Sequence, residues 1–230
     1  MGWGILGGED VEFRSGETTI QAHLGRPAAP GRYPAVIMLH GINGPSPGTR
    51  RAAERLGDEG YVGLLINWQS REKDPPDSEL MQYIADAAAF LRRQEYVDGD
   101  RIAVAGYCRG GGLVYLALEH HPWLRAGIAF HGFPFYRELD AKKPQHPYDL
   151  AERIQAPVLI LHGAADDRAP AEDVYRMAQR LEALGKTFML KMYSGTGHAF
   201  TTPDAGAYNP VAASDAWEEA IKFLHRAFYG

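Results

Sequence analysis

Short, continuous runs of apolar residues recur along the chain and alternate with amphipathic segments. The run Ala-Val-Ile-Met-Leu at 35–39 is typical of a strand that is buried on both faces of a sheet. Two runs of more mixed polarity, 11–14 and 18–24, flank the turn residues Ser-Gly-Glu at 15–17 and predict a β-hairpin. The predicted buried strands are 35–39, 61–66, 101–105, 126–130, 158–161 and 188–192.

Helical periodicity occupies the segments between these strands. In the last of them, Trp217, Ile221, Leu224 and Phe228 share one apolar stripe. The predicted helices are 49–59, 78–94, 112–119, 171–184 and 213–228. Regular alternation of strand and helix predicts an α/β fold with a mostly parallel central sheet and helices on both faces. The length of 230 residues predicts a single domain over 1–230.

Composition and charge exclude several classes of function. The formal net charge is −5 and the basic residues are scattered, so we expect no nucleic-acid partner. The apolar runs are too short to span a bilayer, and residues 1–10 lack the basic and long apolar regions of a secretory signal. The one cysteine cannot form an internal disulfide, which favours a reducing, cytoplasmic compartment.

The single cysteine, Cys108, lies where a predicted strand passes into a helix. Residues 106–112 read Gly-Tyr-Cys-Arg-Gly-Gly-Gly, the pattern G-x-C-x-G at the position where serine hydrolases have G-x-S-x-G. Such a turn exposes the nucleophile, directs the next backbone N–H at a developing oxyanion, and places the thiol at a helix N-terminus that favours the thiolate. The alternative is a structural cysteine beside a glycine-rich turn.

Two further candidates follow the carboxyl ends of late strands. Asp166 comes after the strand 158–161, and His198 comes after the strand 188–192. The order nucleophile, acid, histidine is that of α/β-hydrolases, and parallel strands bring these loops to one edge of the sheet. We therefore predict Cys108 as nucleophile and His198 as base. Position alone leaves Asp167 as a rival to Asp166, with a cap or surface residue as its other interpretation.

In these residues the chain resembles the dienelactone hydrolase family, an α/β-hydrolase branch that uses a Cys-His-Asp triad. The matching segments cover nearly the whole chain and are 36–40 (VIMLH), 60–62 (GYV), 106–111 (GYCRGG), 162–166 (HGAAD), 197–200 (GHAF), 208–210 (YNP) and the helix with Trp217. The resemblance implies the α/β-hydrolase fold and selects Asp166 by its spacing from Gly163. It also implies an oxyanion hole formed by the backbone N–H groups of Ile42 and Arg109.

Two positions depart from the family pattern. Typical members carry a glutamate at the position of Gly41, where it helps to control protonation of the cysteine. They also bind the substrate carboxylate with two arginines; Arg71 matches the first, and Thr202 replaces the second. Loss of one bidentate partner weakens anion recognition. We expect six aromatic residues near the rim, either as pocket lining or as packing: Trp68, Tyr107, Phe133, Phe135, Tyr136 and Phe200. The predicted substrate-binding residues are Arg71 and three of these, Trp68, Tyr107 and Phe200.

The predicted function is hydrolysis of a small-molecule ester or lactone through a cysteine thioester, without a cofactor, by a monomer or small homo-oligomer. Histidines 40, 131, 162 and 198 are expected at the rim, but no H-x-H or H-E-x-x-H spacing occurs, so we predict no metal site. We expect His40 and His162 to bond rim backbone. The long connection 132–150 is a candidate wall or lid, or a surface loop. The alternative function is a catalytically silent binding or scaffold protein, which the changes at Gly41 and Thr202 keep open.

Overall fold

The computed structural model describes the chain from Ile5 to Gly230, with side chains from Gly8 onward. The predicted lack of a secretory signal concerns residues 1–10, of which the first four lie outside the described chain. The strands are β1 Ile5–Ser15, β2 Thr18–Pro27, β3 Tyr33–Leu39, β4 Val62–Ile66, β5 Val97–Tyr107, β6 Gly127–Phe130, β7 Val158–Gly163 and β8 Phe188–Tyr193. The helices are α1 Pro47–Asp58, α2 Asp77–Arg92, α3 Arg109–His120, α4 Ala171–Ala183 and α5 Pro210–Tyr229, with a 3₁₀ helix at Pro147–Arg153.

The described strands form one sheet in the order β1-β2-β4-β3-β5-β6-β7-β8. Strand β2 is antiparallel to both β1 and β4, and every pair from β4 to β8 is parallel. The predicted mostly parallel sheet is confirmed. Its parallel part brings the carboxyl ends of β3, β5, β7 and β8 to one edge, which is the edge where ligand sites form in such folds.

Helices cover both faces of this sheet. In β3, Ala35, Ile37 and Leu39 pack into the core beneath α2, α3 and α4, whereas Val36 and Met38 pack beneath α1 and α5. Because neighbouring residues of a strand point to opposite faces, a strand covered on both sides must be apolar at every position. This explains the continuous apolar runs of the sequence. No helix of the described residues is both long enough and apolar enough to cross a membrane.

Helices α1, α3 and α5 begin two or three residues earlier than the periodicity predicts, and α2 begins one residue earlier. Helix α1 begins at Pro47, where Ser46 caps the N-terminus by accepting a hydrogen bond from the N–H of Thr49 at 3.2 Å, and proline is favoured in the first turn. Helix α3 begins at Arg109, directly after Cys108, instead of at residue 112. The first turn of α3 is rich in glycine, which has a low helix propensity, so the sequence of this turn does not indicate a helix.

Candidate active site

Cys108 lies on a strained turn between β5 and α3. Its φ of 56° and ψ of −117° place it in a region that non-glycine residues rarely adopt. The flanking glycines are required by close backbone approach. A Cβ on Gly106 would lie 2.2 Å from the carbonyl oxygen of Gly110, and a Cβ on Gly110 would lie 2.2 Å from that of Leu39. The G-x-C-x-G pattern is thus the sequence signature of this tight elbow.

Asp166 and His198 are joined by a hydrogen bond. The Nδ1–H of His198 donates to Oδ2 of Asp166 at 2.8 Å, and Oδ1 accepts the backbone N–H groups of Arg168 and Ala169, each at 2.9 Å. Burial of the carboxyl group opposes ionisation, but these hydrogen bonds hold the pKa of Asp166 below its ordinary value. Asp167 is exposed and outside this arrangement. The geometry therefore selects Asp166 over its neighbour.

His198 and Cys108 are close enough to shift each other's pKa. Burial disfavours the charged imidazole, but the hydrogen bond that His198 donates to Asp166 and the adjacent thiol outweigh it and raise the pKa of His198 to about 9. Burial also disfavours the thiolate, yet His198 lowers the pKa of Cys108 below its ordinary value. The Nε2 atom of His198 is buried and makes no hydrogen bond of ordinary geometry. Each group therefore favours the charged form of the other, a thiolate beside an imidazolium.

Two backbone N–H groups face the sulfur of Cys108. They belong to Ile42, in the loop after β3, and to Arg109, the first residue of α3, and both help to lower the pKa of the Cys108 thiol. Two donors that converge on a nucleophile can stabilise the oxyanion of a tetrahedral intermediate. The structure brings together these two residues, Cys108, Asp166 and His198.

The remaining rim histidines are held by hydrogen bonds. His131 is fully buried; its Nδ1 accepts the N–H of Cys108 at 3.1 Å, a donor shared with the Phe130 carbonyl, and its Nε2–H donates to Oγ1 of Thr201 at 3.2 Å. Burial holds the pKa of His131 well below its ordinary value, so the ring is neutral. His162 and His40 bond backbone carbonyls, at 2.9 and 2.6 Å. From Gly8 onward, no three His, Cys, Asp or Glu side chains are grouped so that they could hold a metal ion.

An open cavity of about 730 Å³ surrounds the sulfur, and we call it the Cys108 cavity. It is formed by the loops after β3, β5, β7 and β8 and by one turn of α1. Tyr107 lines it, as the sequence predicts. The other lining residues lie at 41–44, 46, 49, 108, 131, 165, 167–168, 197–199, 202 and 204–207.

Two of the predicted pocket aromatics are instead core residues. Trp68 is 1% exposed and stacks on the ring of His40 at a centroid distance of 4.7 Å. Phe200 is completely buried and packs against Tyr193 at 4.9 Å and His131 at 6.2 Å. Neither lines the Cys108 cavity, so the prediction that they contact substrate is wrong. Trp68 and Phe200 both come soon after a strand that ends at the rim, but their rings are buried in the core.

The predicted anion-binding arginine also lies elsewhere. The exposed Arg71 pairs with Glu79 at 3.1 Å, away from the residues that line the Cys108 cavity. The connection 132–150 forms no wall of the cavity either, and its Pro147–Arg153 end is helical. Of its aromatics, Phe133 packs on His198 at 5.5 Å, Phe135 stacks with Tyr148, and Tyr136 bonds Arg109.

Two features of the cavity were missed by the sequence analysis. Arg168 lines the cavity two residues after Asp166, a position that its spacing from the acid could have indicated. The segment 202–207 forms the opposite wall, and its Asp204 accepts the N–H of Gly48 at 2.7 Å. Gly41, which the sequence analysis does single out, lies beside Cys108: a Cβ on Gly41 would lie 3.7 Å from the sulfur.

An eight-stranded sheet with a nucleophile elbow and an Asp–His pair at its rim defines an α/β-hydrolase. A model of the dienelactone hydrolase family matches residues 20–228, and the chain belongs to this family. It is therefore a hydrolase of esters or lactones.

Relatives and solved structures agree with this family. A Bradyrhizobium protein named as a 2-oxo-3-(5-oxofuran-2-ylidene)propanoate lactonase is 30% identical, over 91% of this chain and 90% of its own length. A Salmonella typhimurium protein named as a carboxymethylenebutenolidase is also 30% identical, over 91% and 83%. A Klebsiella pneumoniae crystal structure described as a dienelactone hydrolase has a TM-score of 0.91 at 26% identity, covering 97% of this chain and 99% of that one.

Proposed function

We propose that this enzyme hydrolyses small esters or lactones through a thioester on Cys108, with His198 as acid and base and Asp166 as its orienting carboxylate. The observation that carries the proposal is convergence on one sulfur. The His198–Asp166 pair lies on one side of the Cys108 thiol, and the N–H groups of Ile42 and Arg109 face it as well. A buried structural cysteine would need none of these groups.

Acylation begins from the ion pair. The thiolate attacks the carbonyl carbon, and the carbonyl oxygen becomes an oxyanion stabilised by the N–H groups of Ile42 and Arg109. As the intermediate collapses, the carbon–oxygen bond of the ester breaks, and the imidazolium of His198 gives its proton to the leaving alkoxide. The products of this half-reaction are the alcohol, a thioester on Cys108 and a neutral His198.

Deacylation uses the same histidine as a base. The raised pKa of His198 depends partly on the Cys108 thiol, and a thioester carries no charge, so the pKa of His198 falls once the acyl group is attached. Neutral His198 then takes a proton from water, which attacks the thioester carbon. Collapse of the second oxyanion breaks the carbon–sulfur bond, releases the acid and restores the thiolate beside the imidazolium. Asp166 keeps the Nδ1–H of His198 fixed throughout.

The thioester can be trapped. The enzyme is mixed with p-nitrophenyl acetate, quenched in acid within milliseconds and digested. The mass of the peptide that contains Cys108 is then measured by mass spectrometry. We expect a mass increase of one acetyl group on this peptide, which disappears when the quench is delayed until the substrate is consumed. A scaffold without turnover would show either no acetyl group or one that persists. Acetylation on any other residue would contradict the proposal.

The Cys108 cavity is suited to neutral substrates, and we propose these as the preferred class. Apart from the Cys108–His198 pair, its charged lining residues are Arg168, Asp167 and Asp204, so two carboxylates outnumber the one arginine. For a matched pair consisting of a free acid and its methyl ester, we expect kcat/KM for the methyl ester to equal or exceed that for the acid. Arg71→Ala should change neither value by more than about twofold, since Arg71 contacts Glu79 instead of the cavity. A strong preference for the free acid that Arg71→Ala removes would contradict this.

Gly41 leaves the thiolate without an opposing carboxylate. We expect iodoacetamide to alkylate Cys108 with a pH midpoint below the value of about 8.5 for a free thiol, because His198, Ile42 and Arg109 all lower the pKa of Cys108. A glutamate at position 41 would begin 3.7 Å from the sulfur and should raise the midpoint by about one unit or more. Gly41→Gln is the matched control, equal in size and uncharged. A wild-type midpoint at the free-thiol value, or equal midpoints in both variants, would contradict this role.

We also propose a cytoplasmic location and a monomer or small homo-oligomer. An accessible thiolate is readily oxidised, and a reducing compartment protects it. Cell fractionation and sizing by light scattering test the two statements separately.

A further inference from the structure

The oxyanion donor of Ile42 belongs to a peptide unit that has little restraint of its own. The N–H of Ile42 forms one planar unit with the carbonyl of Gly41, and glycine permits rotation that a residue with a Cβ would restrict. Rotation of this unit would turn the N–H away from Cys108 and direct the Gly41 carbonyl oxygen toward the sulfur. The geometry of the oxyanion hole therefore depends on the contacts that restrain the two peptide units on either side of Ile42.

His40 holds the first of these units. Its Nδ1–H donates to the carbonyl oxygen of Gly41 at 2.6 Å, and the N–H of Gly44 donates to the same oxygen at 3.2 Å. The C=O and N–H of a trans peptide point in opposite directions, so anchoring the oxygen directs the Ile42 N–H to the other side, where Cys108 lies. The His40 ring is itself fixed by complete burial and by stacking on Trp68.

Gln69 holds the second unit. Its side-chain amide donates to the carbonyl oxygen of Ile42 at 2.9 Å and to that of Lys73 at 2.6 Å, which uses both amide hydrogens. The adjacent Trp68 donates from Nε1 to the carbonyl oxygen of His40 at 2.9 Å. The Asn67 side chain also contacts Nε2 of His40 at 3.2 Å, so the loop after β4 is bonded to the oxyanion loop at three points.

We infer that His40 and Gln69 are positioning residues that together keep the Ile42 N–H aimed at the oxyanion; this rests on the proposed function. The second donor, Arg109, needs no such clamp. It is the first residue of α3, and its guanidinium is buried and paired with Asp77 at 2.7 Å and with the Tyr136 hydroxyl at 2.8 Å. The contacts of His40 and Gln69 therefore restrain the Ile42 side of the oxyanion hole, where the adjacent Gly41 leaves the backbone free to rotate.

The test compares two reactions of the same sulfur. Acylation by p-nitrophenyl acetate forms an oxyanion, whereas alkylation by iodoacetamide forms none. Gln69→Leu removes both amide donors from a half-buried side chain, and His40→Leu removes the ring. We expect each variant to lower the single-turnover acylation rate by about 10- to 100-fold, with KM little changed, because removal of a whole donor costs on the order of 10²–10³. The alkylation rate at its high-pH plateau should change by less than about twofold, since it does not use the hole.

Two variants serve as controls. Gln94→Leu is the same substitution just after the C-terminus of α2, where the amide donates to the Phe90 carbonyl, and Ser70→Ala changes the loop of Gln69 without removing a bond to Ile42. Both should acylate at the wild-type rate, and the Tm of every variant is recorded. Equal losses of acylation and alkylation in Gln69→Leu, or no loss of either, would overturn the inference. Failure of the proposed function would appear differently, as full turnover by Cys108→Ala.

Discussion

Replacing Cys108 by alanine is expected to lower kcat for ester hydrolysis by on the order of 10⁴-fold or more, since no other group can form the thioester. His198→Ala should cause a loss of similar size, because Cys108 then lacks both the group that favours its thiolate and the acid for the leaving group. Asp166→Asn should cost on the order of 10²–10⁴, since the amide disrupts the hydrogen bond that orients Nδ1–H of His198.

Asp167→Asn is the matched control for the acid. The side chain of Asp167 is exposed and outside the Asp166–His198 hydrogen bond, so its loss should cost less than about tenfold in kcat. Circular dichroism should show the native fold in all four variants, because the substituted side chains lie at the rim. Turnover near the wild-type rate in Cys108→Ala, or a larger loss in Asp167→Asn than in Asp166→Asn, would refute the assignment.

Glu119→Gln is expected to stabilise the protein at pH 7 by up to about 3 kcal/mol. Glu119 lies on α3, and neither oxygen of its buried carboxyl group has a hydrogen-bonding partner among the described residues. Burial raises the pKa of Glu119 to about 9, and Arg153 only partly opposes this. The group is therefore protonated in the folded protein and ionised in the unfolded chain at neutral pH, so folding at pH 7 requires uptake of a proton.

The sign of the pH dependence follows from the raised pKa of Glu119. Glu119 binds a proton in the folded state but not in the unfolded chain between about pH 4.5, the ordinary value, and about pH 9, so its contribution to the free energy of unfolding should decrease as the pH rises through this range. Urea unfolding of wild type and variant at pH 5, 7 and 9 measures this contribution as their difference. Glu119→Gln should remove it from the pH dependence, whereas the exposed Glu182→Gln should leave the wild-type slope intact. Equal slopes in wild type and Glu119→Gln would contradict the prediction.

The sequence predicts those parts of the site that depend on local geometry. Cys108, Asp166 and His198 each follow a buried strand, and parallel strands deliver such residues to one edge whatever the details of packing. Trp68 and Phe200 also follow strands, but whether a ring enters the cavity or turns back into the core depends on side-chain directions and distant neighbours. In Trp68 the ring lies against His40, a contact that no periodicity encodes.

The error at Arg71 has a similar origin. Its match to the family pattern lies in a variable loop, where Glu79 on α2 is the nearer partner of the guanidinium. Arg168, the cation that does line the cavity, lies two residues after the acid, and this spacing alone distinguishes it from an exposed loop arginine. The 3₁₀ helix at Pro147–Arg153 is too short to produce a periodic signal.

Substitutions in the cavity wall at 202–207 can change substrate selectivity without altering the central sheet. These residues follow the histidine loop and precede α5, and they contribute no strand to the sheet. Asp204 fastens this wall to the N-terminal turn of α1, where a carboxylate meets the positive end of the helix dipole. A combinatorial library confined to the remaining wall positions would reshape the entrance while the elbow, the histidine and the central strands keep their native sequence. Replacing residues 202–207 by loops of different length is expected to change which substrates enter the Cys108 cavity.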